Sequence, residues 1–174
     1  FRQIGLHVAA QFAGDVTGSM VIQGVVSSTG YRSTTAPSAT TGLDADDLLQ
    51  GGPAVLIEGN VTGGIRLAVA PRDNNAADKD EDKDGIEDAK EGNAAVTSFG
   101  AAPAMAIGAT NRDIVIGPAG AATTHGLVVE GVIAGQGVYA GVNATGLAIG
   151  GRGGAVTITN GIAVVGSVGA VSNG

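Results

Sequence analysis

Short apolar stretches bounded by glycine recur along the whole chain, and their internal spacing is that of strands. Ala54-Val55-Leu56-Ile57, Ala104-Met105-Ala106-Ile107, Gly126-Leu127-Val128-Val129 and Gly146-Leu147-Ala148-Ile149 form one set. A second set follows it. Gly-Asp-Val-Thr-Gly-Ser-Met-Val-Ile (14–22) aligns with Gly-Asn-Val-Thr-Gly-Gly-Ile-Arg-Leu (59–67), and weaker copies begin at Gly108, Gly131 and Gly150. Those copies end in Ile114-Val115-Ile116, Val138-Tyr139 and Val156-Thr157-Ile158; a third piece, Gly24-Val25-Val26 or Gly161-Ile162-Ala163-Val164, follows some of them. Apolar residues one apart put their side chains on one face of a strand, and glycine takes corners that need positive φ.

Strand, glycine corner, strand is the anatomy of one coil of a solenoid, which needs neighbours above and below to bury its inward side chains. Unit starts fall near residues 5, 53, 103, 125 and 145. The last two steps are about 20 residues, a common solenoid period, and the first two about 50. The longer steps predict two insertions, at about 27–52 and about 70–95. The expected fold is all-β: a single right-handed parallel β-helix (β-solenoid) spanning residues 1–174, with five coils and two loop insertions. The competing architecture is an antiparallel β-sandwich with glycine-rich hairpins, for which Asn160-Gly161 is a turn signal.

Composition supports the thin, strand-lined interior. Glycine supplies 31 residues, aromatics only 3%, and the apolar 44% is mostly Ala, Val and Ile. Residues 131–151 carry no charge, but seven of them are glycine and Gln136, Asn143 and Thr145 interrupt the run, so no transmembrane span is expected. With no cysteine there is no disulfide framework and no thiolate metal site. The start at Phe1, with no signal peptide pattern, leads to the expectation of a segment processed from something longer.

Charge is sparse and unevenly placed. The net value is -7, and nine of the sixteen acids lie within residues 73–91 together with all the lysines. No basic stripe with interleaved aromatics exists, which argues against nucleic acid as a partner. Within the acidic segment, Asp80, Asp82, Asp84, Ile86, Asp88 and Glu91 fall at positions 1, 3, 5, 7, 9 and 12 of a twelve-residue calcium loop, with Gly85 at 6. Calcium wants six to eight oxygens: alternate acids turn inward, the Ile86 carbonyl adds one, and Glu91 binds through both of its own. The expected role is structural, with the ion ordering an insertion that hangs off the rod. A solvated acidic loop balanced by lysines is the alternative.

Signals of catalysis are thin, and the expectation is a protein that is not an enzyme. His7 and His125 sit in apolar, strand-like surroundings, and no nucleophile elbow is present. Gly135-Gln136-Gly137 near Gly141 is not followed by a helix, so it fails as a dinucleotide fingerprint. Outside the two insertions, only Asp15, Glu58, Asp113 and Glu130 remain as acids for a coil face.

The stretch Val21-Ile22-Gln23-Gly24, the segment Ser28-Thr29-Gly30-Tyr31-Arg32-Ser33-Thr34-Thr35-Ala36-Pro37, the run Leu43-Asp44-Ala45-Asp46-Asp47-Leu48-Leu49-Gln50-Gly51-Gly52-Pro53-Ala54-Val55, the Asp-rich loop and residues 101–165 together resemble the passenger region of autotransporter outer-membrane proteins of alphaproteobacteria. That resemblance implies a β-helical passenger on the outer-membrane surface of a Gram-negative bacterium, exposed to the extracellular space and serving adhesion, aggregation or coating. Open coil ends and low charge lead to the further expectation of end-to-end self-association into fibres or filaments. The alternative partner is a surface polysaccharide or another cell, recognised through the inserted loops. No catalytic residue is implied.

Overall fold

The computed structural model describes residues 2–4, 9–29, 51–81, 83, 85–138 and 140–172. Fifteen strands follow one another: β1 (Arg2–Ile4), β2 (Ala10–Phe12), β3 (Met20–Ile22), β4 (Val25–Thr29), β5 (Val55–Ile57), β6 (Ile65–Leu67), β7 (Ala95–Phe99), β8 (Met105–Ile107), β9 (Ile114–Ile116), β10 (Leu127–Val129), β11 (Val132–Gln136), β12 (Leu147–Ile149), β13 (Val156–Ile158), β14 (Ile162–Val164) and β15 (Ser167–Val171). Among the described residues the helical content is a single 3₁₀ turn, Asp88–Lys90.

These strands form four sheets, and every pairing is parallel. Sheet I has the order β12-β8-β5-β2, sheet II joins β13 to β9, sheet III runs β14-β10-β6-β3, and sheet IV runs β1-β4-β7-β11-β15. Sheet II continues into the earlier chain through parallel bridges from Ile116 to Val61 and from Val61 to Val16. After β1 the chain visits the sheets in the same order four times: I, II, III, IV. Each visit, called here a circuit, lays its strands against those of the circuit before. Among the described residues no strand pair is a hairpin, and the parallel pairing of every strand rules out the antiparallel sandwich. Asn160 and Gly161 do adopt the left-handed turn (φ 56° and 78°) that the sequence suggested, but it carries the chain from sheet II to sheet III.

The circuit is longer than the sequence period suggested. From Ala10 to Val55 the step is 45 residues, from Val55 to Met105 it is 50, and from Met105 to Leu147 it is 42. Among the described residues, four circuits therefore replace the five coils expected. The unit placed near residue 125 is the third strand of a circuit: Leu127 pairs with Ile65 and Ile162 in sheet III. The cause is physical. One pattern, apolar–x–apolar, makes a three-residue strand on any of three faces, so the repeat of faces within a circuit mimics a short repeat of circuits. The alignment of 14–22 with 59–67 does give the true register, since Met20, Val21 and Ile22 pair with Ile65, Arg66 and Leu67.

Register sets the core. In-line columns such as Phe12–Ile57–Ile107–Ile149 and Met20–Ile65–Leu127–Ile162 run through the stack. Residues of the middle circuits in these columns are fully buried, and they merge with Val61, Ile114, Ile116 and Ile133 into one cluster. Middle residues of the triplets face outward: Val21, Arg66 and Val115 are exposed. Sheet I departs from this, because Leu56 and Ala106 on its outer side are also buried.

Sheet IV has five-residue strands and a different interior. Its inward columns are Val26–Val96–Ile133–Val168 and Ser28–Ser98–Gly135–Ala170. Ser28 and Ser98 are buried, and each hydroxyl donates to a carbonyl of the corner that leads into the next circuit: Gly52 at 2.9 Å and Ala102 at 2.6 Å. Proline follows each of those carbonyl residues, at Pro53 and Pro103. The corner before sheet I is thus fixed twice by the same device. A buried hydroxyl with a partner costs little, whereas one without costs a full desolvation penalty.

Of the two expected insertions, most of the first lies outside the described residues, including Leu43, Leu48 and Leu49. Its first three residues, Ser27, Ser28 and Thr29, belong to β4. Between β6 and β7 the chain makes no strand among the described residues, and the acidic segment lies there.

Candidate functional site

The acidic segment folds on itself through its own carboxylates. Asp88 N–H donates to the Lys79 carbonyl (2.8 Å) and Glu81 N–H to Asp88 Oδ1 (3.2 Å), closing a loop over residues 79–88. Within it Gly85 N–H donates to Asp80 Oδ2 (3.2 Å), and Lys83 and Gly85 both take left-handed φ, 59° and 92°. Asp80 Oδ1 is shielded from solvent and has no hydrogen-bond partner among the described residues. An orphaned carboxylate oxygen at the first ligand position, beside a sixth-position glycine bonded to its twin, fits a loop that wraps a hard cation.

Of the remaining expected ligands, Ile86, Asp88 and Glu91 are among the described residues. Glu91 Oε1 accepts from Gln23 Nε2 (3.0 Å), which ties it to the corner between β3 and β4. Asp88 Oδ1 accepts the Glu81 N–H. Asp82 and Asp84 lie outside the described residues. Among the described residues, no three His, Asp or Glu side chains gather closely enough to hold a metal ion. Glu81, which the loop pattern leaves free of the metal, turns instead to Asn74 N–H (3.0 Å).

A second polar constellation lies at the corner between sheets I and II, and it crosses all four circuits. Glu58 accepts from Gln11 Nε2 (2.7 Å) of the first circuit and Arg152 Nη2 (3.0 Å) of the fourth. Asp15 accepts the N–H of Asn60 (2.7 Å) and the guanidinium of Arg112, whose Nε reaches the Glu58 carbonyl (3.3 Å). Asn60 Oδ1 takes Val115 N–H (2.7 Å), and Asp113 Oδ1 takes Ala155 N–H (2.8 Å). The backbone N–H of Asn60, and then Arg112, hold the Asp15 carboxyl below its usual range. On sheet III, Arg66 grips Glu130 of the next circuit through two bonds of 3.0 Å.

The four acids left for a coil face by the sequence are therefore all engaged between circuits. Asp15, Glu58 and Asp113 line one corner and Glu130 sits on another side, so they converge on no common point. His125 is exposed on the excursion between β9 and β10, and His7 lies outside the described residues. The signal for this seam was present in the sequence as Gly14-Asp15-Val16 beside Gly59-Asn60-Val61, where an Asp and an Asn share one place in the repeat.

Fold and polar seam together define an all-β protein of stacked parallel sheets, cross-linked by side chains from circuit to circuit. Comparison with family models, with curated proteins and with solved structures finds no match. Among the described residues no helix is long and apolar enough to cross a membrane.

Proposed function

We propose that the chain is a segment of a right-handed parallel β-solenoid with a structural role at the surface of a Gram-negative cell, akin to an autotransporter passenger, and that it is not an enzyme. The observation that carries this reading is the last circuit. β12, β13, β14 and β15 are all edge strands, and the residues in line with the buried columns come to the surface there: Ile149 is 40% exposed and Val164 51%. The edge holds no Lys and no Pro, the residues that proteins use to block strand pairing. Such an edge suits a rod that is extended by further strands, and self-association is one way to supply them. A right-handed sense follows from the twist preference of parallel crossovers.

Calcium belongs to this reading as the structural ion of the loop between β6 and β7, held by Asp80, Asp82, Asp84, Ile86, Asp88 and Glu91. The orphaned Asp80 oxygen supports it. Adhesion through the insertions is the alternative role, supported by the exposure of residues 71–79. Electron microscopy of the purified chain at high concentration, with and without calcium, tests the structural role. Rods that associate are expected; single compact particles under every condition would contradict it.

A further inference from the structure

Consecutive circuits are not joined alike at the corner between sheets I and II. Asp15 and Asn60 hold the same place, each after a glycine and before a bridging valine, and each takes a backbone N–H of the next circuit. The first joint therefore rests on a group that titrates, and the second on one that does not. Asp15 is also the point where Arg112 of the third circuit meets the first. Exposed ion pairs contribute little alone. Here donors from two other circuits converge on a single carboxylate, and one of them is itself anchored on the Glu58 carbonyl.

We propose that Asp15 is an acid-released clasp that holds the first circuit onto the second and third at this corner. Protonation removes the charge that Arg112 pairs with and weakens the acceptor of the Asn60 N–H. The first circuit then parts from the second beside the Val16–Val61 bridge, while the columns of sheets I and III keep their register. The other charged groups of the corner already have partners: Glu58 with Gln11 and Arg152, Asp113 with the Ala155 amide. The sign follows from the direction in which Asp15 is shifted. Its folded form is held below the ordinary carboxyl value. The clasp is thus fully closed above about pH 4, the unfolded value, and lost as pH falls through the lower folded one.

Amide hydrogen exchange of the full chain, followed by NMR from neutral pH to pH 3 and referred to intrinsic rates, tests this. Protection of the Asn60 amide is expected to fall severalfold across the carboxylate range, while that of Val115 stays level. Asp15→Asn, which keeps an acceptor oxygen in the manner of Asn60, should leave the Asn60 amide protected and abolish its pH response. Arg112→Gln should shrink the response, and Asp113→Asn should leave it unchanged. Asn60 and Val115 losing protection together, or a response that survives Asp15→Asn, would overturn the clasp.

Discussion

At the scale of the residue, the stack is governed by how close one circuit comes to the next. Gly59 lies directly over the Gly14 carbonyl, and a Cβ there would collide with backbone that has no room to move, whereas a Cβ on Gly14 would meet open space. Neither has the positive φ that would strain a side chain. Gly59→Ala is expected to cost about 1–3 kcal/mol through overpacking, and Gly14→Ala close to nothing. Urea unfolding of the two variants measures this; equal midpoints would mean that circuits are not packed at this distance. The inward columns obey the same logic. Ile57 is fully buried and Ile149, in the same column, is 40% exposed. Truncating Ile57 to Ala should therefore cost about 2–5 kcal/mol and truncating Ile149 distinctly less, again read from urea midpoints.

Elements differed sharply in how much of them could be read beforehand. The three-residue strands β5, β6, β8, β9 and β12 were legible, because each sets two apolar residues one apart with a glycine at or near one end. What remained hidden was the face each strand joins, since β10 carries the same pattern as β8 and β12 yet pairs with β6 and β14. Sheet IV was harder still. β7 reads Ala-Val-Thr-Ser-Phe, and its second inward position is a serine that a hydrophobic pattern discounts. That serine is inside because it bonds the corner carbonyl of Ala102, a local need no periodicity reports. The acidic loop was legible as a ligand pattern, while the use of Glu91 Oε1 by Gln23, far away in sequence, was not. Calorimetric titration with calcium should give binding for the native chain and none for Asp80→Ala, since that variant removes the first ligand and the acceptor of Gly85 N–H. Identical heats from both would take calcium out of the account.

For the molecule as a whole, the two ends of the stack are unlike. In sheet III the first circuit keeps Met20 and Ile22 buried, at 7% and 9% exposure, whereas the last leaves Ile162 at 38% and Val164 at 51%. In sheet III the last circuit is thus the less covered of the two. All of this depends on which strands lie side by side. Val128 pairs with Ala163 in sheet III, 35 residues along, while a 20-residue coil would have set it beside Ala148. The chain has no cysteine of its own, so paired cysteines report this cleanly. Under mild oxidation, the variant carrying Val128→Cys with Ala163→Cys should close an intramolecular disulfide, since strand neighbours lie about 4.8 Å apart. The variant carrying Val128→Cys with Ala148→Cys should stay reduced. Closure of the second pair and not the first would contradict the four-circuit stack.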